Sequence, residues 1–153
     1  MGKSKLKKVF GLSSKDIGID LGTANLLVTL KGKGIVLKEP SVVAIDKKTG
    51  NILSTGYEAK EMLGRTPDNI IAVRPLKDGI IADFEATRML IQNLVYRVIP
   101  RSLFYKPKIV ITTPSAITDV EERAVEEAVL YAGAKEVYLI EEPIAAAIGS
   151  SIK

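Results

Sequence analysis

The chain has 153 residues, 46% of them hydrophobic, which is enough to bury one core; with no cysteine or histidine it has neither disulfides nor thiolate or imidazole metal and base chemistry. The net charge of +4 is unevenly placed: residues 1–15 carry five lysines and no acid, while the other 138 hold 17 basic and 18 acidic side chains. With a near-neutral body and only 5% aromatic residues, a nucleic-acid partner is not expected.

In chain order, Leu6, Val9 and Phe10 come first, at i, i+3 and i+4 among Lys3, Lys5, Lys7 and Lys8. That is the pattern of a short interfacial helix, and equally of a solvated basic tail. Ile17, Ile19 and Leu21 then alternate with Gly18, Asp20 and Gly22, and a second β-rich run spans Leu26 to Leu30. Lys31-Gly32-Lys33-Gly34 is a turn, and a third strand from Ile35 to Leu37 closes at Pro40, so the chain opens as an antiparallel meander.

From Ser41 to Pro75 the pieces shorten: strands near Val42–Ile45, Ile52–Ser54 and Ile70–Val73, and a helix near Glu58–Leu63. This stretch reads as a small α+β insert, 41–75, in a body formed by 16–40 and 76–153. After a turn at Asp78-Gly79, Asp83 caps a helix with Leu90, Ile91, Leu94, Val95 and Val98 at helical spacing, stopped by Pro100. Leu103-Phe104-Tyr105 follows between Arg101 and Lys106, either a second membrane-touching element or a loop packed on the core. A buried strand at Lys108–Thr112 leads to a helix opened by the capping-box pair Thr118 and Glu121, with Val125, Ala128, Val129 and Ala132 on one face and Gly133 at its end. A strand at Glu136–Ile140 and a helix at Ile144–Ser150, with Glu142 just ahead of it, complete the order. Meander, then helix, strand, helix, strand, helix is the grammar of an α/β fold with a mixed sheet, parallel strands beside an antiparallel meander.

Two segments carry candidate chemistry. In Asp20-Leu21-Gly22-Thr23-Ala24-Asn25 a carboxylate ends a strand that is otherwise apolar on its buried face, and small residues follow. Gly22 and Ala24 let backbone N–H groups approach a phosphate, Thr23 and Asn25 add donors, and Asp20 can hold hydrated Mg²⁺; Asp20 and Asn25 are also ordinary turn residues. In Glu141-Glu142-Pro143, at a strand end and helix start, Glu142 can orient an attacking water in nucleoside triphosphate hydrolysis, or simply favour the helix N-terminus.

Taken together and in this order, Asp16–Asn25 and Ile109–Gly149, with its Glu-Pro-x-Ala-Ala-Ala signature, resemble the first phosphate motif and first connecting segment of the actin, Hsp70 and sugar-kinase superfamily. Gly32–Ile45, Met62–Pro67 and Arg74–Asp83 narrow the resemblance to the MreB family of bacterial cell-shape actins. The resemblance implies an actin-like lobe with an RNase H-like sheet, ATP and Mg²⁺ as cofactors, and polymerisation with copies of itself. It further implies peripheral attachment to the anionic inner face of the membrane from the cytoplasm, through Leu6, Val9, Phe10, Leu103 and Phe104, and work with cell-wall synthesis and cell-shape membrane proteins. On that mapping Gly22, Thr23, Ala24 and Asn25 meet phosphates, Asp20 faces the metal through water, and Glu142 positions the hydrolytic water. The second actin-like domain is not among these 153 residues, so negligible ATP hydrolysis is expected of the chain alone. A lobe of an Hsp70-like or sugar-kinase-like enzyme, or a non-catalytic partner-binding lobe, remain the alternatives.

Overall fold

The computed structural model describes residues 16–78, 80–98 and 106–150. Its centre is a five-stranded mixed sheet in the order β10-β9-β1-β2-β3. Three antiparallel strands, β1 (Ile17–Leu21), β2 (Asn25–Leu30) and β3 (Gly34–Pro40), form the expected meander. The parallel strands β9 (Lys108–Thr113) and β10 (Glu136–Glu141) extend it on the other side of β1.

The two faces of this sheet follow from strand alternation. Ile17, Ile19 and Leu21 of β1 share a face with Leu26 and Val28 of β2 and with Ile109 and Ile111 of β9, and all are buried. Helix α2 (Phe84–Val98) closes that face with Leu90, Ile91, Leu94 and Val95, and helix α3 (Asp119–Tyr131) with Val125 and Val129. Both helices start at the caps expected of them. Ala86 N–H donates to Asp83 Oδ1 at 2.9 Å, and Thr118 and Glu121 exchange reciprocal capping-box bonds.

The segment after Pro40 forms a three-stranded antiparallel sheet, β5-β4-β6, from β4 (Val43–Asp46), β5 (Ile52–Thr55) and β6 (Ile70–Val73). Helix α1 (Gly56–Glu61) packs on it, and Val42, Ala44 and Ala59 form a small cluster with Met62, Leu63 and Ile70. Val43 points the other way and joins the main core, as the two-residue period of a strand requires.

Helix α1 begins two residues earlier than the expected Glu58. Gly56 adopts φ +68 directly after β5, and a Cβ there would lie 2.4 Å from Glu39 Oε2. Only glycine lets Glu39 tuck under the helix start and accept from both terminal guanidinium nitrogens of Arg97, at 2.8 and 2.6 Å. A short hairpin, β7 (Leu76–Lys77) with β8 (Ile80–Ile81), brackets the expected turn, where Asp78 stands at φ 52. The last helix, α4 (Glu142–Gly149), lies on the opposite face of the main sheet from α2 and α3 and buries no residue.

Candidate functional site

Asp20 is the penultimate residue of β1, on the face that α2 and α3 leave open. The parallel register Ile19↔Ile111 carries on to set Asp20 beside Thr112, 92 residues further along the chain. The Thr112 hydroxyl donates to Asp20 Oδ1 at 2.8 Å and accepts from the Leu21 backbone N–H at 3.0 Å. One hydroxyl therefore fixes both the carboxylate and the backbone where β1 ends. Composition and motif reading did not single out Thr112; its signal was the Thr-Thr pair closing an aliphatic run, legible only once the β1–β9 register is known.

Immediately beyond, the chain turns sharply from β1 into β2. A Cβ on Gly22 would sit 2.5 Å from the Asn25 carbonyl oxygen, so this turn closes only on glycine. Ser41, fully buried, braces it by donating from its hydroxyl to Gly22 O at 2.6 Å, while its N–H donates to Ala24 O at 3.1 Å. Gly22 and Thr23 are half-buried, and Ala24 and Asn25 are exposed at the sheet end.

Glu142 is exposed and is the first residue of α4, inside the helix and not just ahead of it. The helix starts here because Pro143 fits the first turn, where its missing N–H costs nothing. Asp20, Thr112 and Glu142 all line one cavity of about 600 Å³ between the open face and α4, whose other walls include Val110, Ile140 and Ala146. Gly22, Thr23, Ala24 and Asn25 are not in its lining; they stand past the end of β1, next to Asp20 in the chain. Leu6, Val9, Phe10, Leu103 and Phe104 lie outside the described residues. Among the described residues no helix is long and apolar enough to cross a membrane, and no three His, Cys, Asp or Glu side chains group as a metal cage.

A mixed sheet built from an antiparallel meander and two parallel strands, with a carboxylate at the end of β1 and a helix beginning at the end of β10, defines an actin-like α/β lobe. The crystal structure of MreB 5 of Spiroplasma citri bound to AMPPNP superimposes with a TM-score of 0.76 at 35% identity, over 92% of this chain and 42% of that one. The family model for the MreB/Mbl protein matches residues 14–153, and the chain belongs to that family. It is 54% identical over 140 residues to the cell shape-determining protein Mbl of Bacillus subtilis (strain 168), covering 92% of this chain and 42% of the relative. With the cell shape-determining protein MreB of Escherichia coli (strain K12) it shares 49% over 152 residues, covering 96% and 44%. The chain thus spans less than half the length of each of these proteins.

Proposed function

We propose that these residues form the N-terminal lobe of a cell-shape filament protein that binds and hydrolyses ATP at the cytoplasmic face of the membrane. The observation that carries the reading is the pairing of Asp20 and Glu142 on one cavity, with Asp20 fixed by Thr112 and followed at once by a turn that only glycine can close. The AMPPNP bound to MreB 5 of Spiroplasma citri, whose fold this chain shares, supports a nucleotide as the ligand.

The residues fit hydrated Mg²⁺ with the nucleotide. Mg²⁺ retains waters and takes one or two carboxylates together with substrate phosphates, so the Asp20 carboxylate, fixed by the Thr112 hydroxyl, is a suitable donor. When bound, the ion neutralises charge on the β- and γ-phosphate oxygens. Asp20 holds its water shell; Gly22, Thr23, Ala24 and Asn25 approach the phosphates; Glu142 orients the attacking water. Filament assembly with further copies, and docking to anionic membrane and to cell-wall synthesis proteins, belong to the same proposal. It draws support from the cell shape-determining role named for Mbl and MreB.

The test joins this chain to the remaining length of Bacillus subtilis Mbl and measures ATP affinity and turnover. Asp20→Ala is expected to weaken Mg²⁺-dependent binding most. Glu142→Ala is expected to keep affinity and slow turnover, because a water-positioning group acts mainly in the transition state. The unjoined chain is expected to show no turnover above buffer, since one lobe cannot exclude water from the reacting phosphate. Affinity indifferent to both Asp20 and Mg²⁺ would refute the phosphate site. Lost affinity at an unchanged rate in Glu142→Ala would leave Glu142 only its role at the helix N-terminus.

A further inference from the structure

Among the described residues three polar side chains are buried, Ser41, Thr87 and Thr113, and only Ser41 reaches the turn that follows Asp20. Its hydroxyl donates to Gly22 O at 2.6 Å and its N–H to Ala24 O at 3.1 Å. In a trans peptide the N–H points opposite to the C=O. The two bonds therefore draw two carbonyls toward Ser41 and aim the N–H groups of Thr23 and Asn25 away from it. Carbonyl oxygens repel a phosphate and N–H groups attract it, so the sense of these peptides decides whether the turn receives an anion. Nothing in Gly22 itself fixes that sense. Lacking a Cβ, it can close the turn, and for the same reason its peptide rotates either way at little cost. Ser41, in contrast, is anchored by the residues that follow it. Val42 N–H donates to Pro40 O at 2.9 Å, Val42 O accepts from Gly56 N–H at 3.0 Å, and the buried side chains of Val42 and Val43 join the insert cluster and the main core respectively.

We infer that Ser41 is a positioning residue of the phosphate turn, holding the Gly22 and Ala24 carbonyls back so that the amide edge of 22–25 is presented to the phosphates of ATP. The inference rests on the phosphate site proposed above and names the residue that gives its turn the right sense. Ser41 is itself too deeply buried to meet a ligand and acts through the backbone. Two hydroxyls then share the end of β1. Thr112, from β9, fixes the Asp20 carboxylate and the Leu21 N–H, and Ser41, the first residue after β3, fixes the peptide beyond them. Without the Ser41 hydroxyl, the Gly22 carbonyl regains a hydrogen bond by turning to water at the sheet end, which presents an oxygen to the phosphate in place of an N–H.

The experiment uses this chain joined to the remaining length of Bacillus subtilis Mbl and measures the Kd for ATP and for adenosine with Mg²⁺ present, together with the urea midpoint of each variant. Ser41→Ala should raise the ATP Kd about tenfold, the effect of one lost hydrogen bond to a buried group, and leave the adenosine Kd unchanged because adenosine has no phosphate. Ser41→Cys fills nearly the same space with a weaker donor and should fall between alanine and serine; it alone decides the matter where the alanine variant does not fold. Thr87→Val is the control. It removes another buried hydroxyl of the same lobe, which donates to Asp83 O at 2.7 Å, and should lower the urea midpoint without changing the ATP Kd. An unchanged ATP Kd in the Ser41 variants, equal losses for ATP and adenosine, or an equal ATP loss in Thr87→Val would overturn the role of Ser41 and leave the phosphate site standing. ATP affinity of the unaltered joined protein that ignores both Mg²⁺ and Asp20→Ala would overturn the phosphate site itself, and Ser41 with it.

Discussion

The central sheet has one face that is closed and one that is open, and they serve different ends. On the closed face, Ile17, Ile19, Ile109 and Ile111 are at most 2% exposed, covered by two long helices with matching apolar stripes. On the open face, Val110 and Tyr138 remain 42% and 48% exposed. Helix α4, the sole helix there among the described residues, is apolar along nearly its whole length yet buries nothing, with Ile148 at 67% exposure. The closed face holds the lobe together. The open face carries Asp20 and Thr112, with Glu142 of α4 across the cavity from them, and an apolar surface of this kind is where a chain meets another body. One strand, β1, supplies both, because successive residues point to opposite sides.

The sharpest break in this comparison comes from two neighbours in β9. Ile111→Ala should cost about 3 kcal/mol, since a fully buried side chain leaves a cavity between sheet and helices. Val110→Ala, one residue earlier, should cost under about 1 kcal/mol, because its side chain is already partly in water. Urea unfolding midpoints at unchanged slope measure both. Equal losses would mean that the open face is as structural as the closed one.

A smaller effect is expected at the clamp between the meander and α2. Arg97 grips Glu39 through two nitrogens, and with side-chain exposures of 41% and 18% the pair is only partly shielded, so Arg97→Ala should cost about 1 kcal/mol. Lysine should not restore it, because a single ammonium cannot reproduce the two parallel bonds. Full stability in Arg97→Lys, read from the same unfolding curves, would show that charge alone mattered there.

Much of this architecture is legible in the residues themselves. The alternation Ile17, Ile19, Leu21 defines the closed face, and Thr118 with Glu121 marks the start of α3 by chemistry that needs no tertiary information. The actin-like fold is likewise readable from Asp16–Asn25 and Ile109–Gly149 taken together, and the MreB family from Gly32–Ile45, Met62–Pro67 and Arg74–Asp83. What could not be read locally depends on contacts across long stretches of chain. Thr112 reaches Asp20 only through a parallel pairing, and Glu39 reaches Arg97 over 58 residues past Gly56, where a Cβ would collide with the Glu39 carboxylate. The β7–β8 hairpin was invisible for another reason: strands of two residues are too short to show any period. The start of α4 was shifted because Pro143 is compatible with more than one position in a first helical turn.

The smallest expected effect lies at the rim of the closed face, where α3 is capped. Glu121 accepts from the Thr118 backbone N–H at 2.9 Å and from its hydroxyl at 2.8 Å, and these bonds, the backbone one foremost, hold its carboxyl below the usual glutamate range. A carboxyl whose pKa is lower folded than unfolded stabilises the fold above its unfolded value. That contribution disappears as pH falls through the folded value, so it should be present in full at pH 6 and be lost progressively as the solution is acidified below the usual glutamate range. Because Glu121 is half-buried and its cap bonds lie at the surface, screening keeps the effect to a few tenths of a kcal/mol, or about 1–2 °C in the thermal midpoint. Glu121→Gln keeps a carbonyl to accept the Thr118 bonds and removes only the charge. The midpoint of the unaltered chain should therefore exceed that of Glu121→Gln at pH 6, and the gap should narrow steadily as pH falls below the usual glutamate range. Asp46 and Glu85, whose carboxyls are also held low by hydrogen bonds, titrate in both proteins and cancel in the difference. A gap that stays constant across that range would mean the carboxylate is not engaged at the cap, and that packing of Val125 and Val129 against the sheet holds α3 without it.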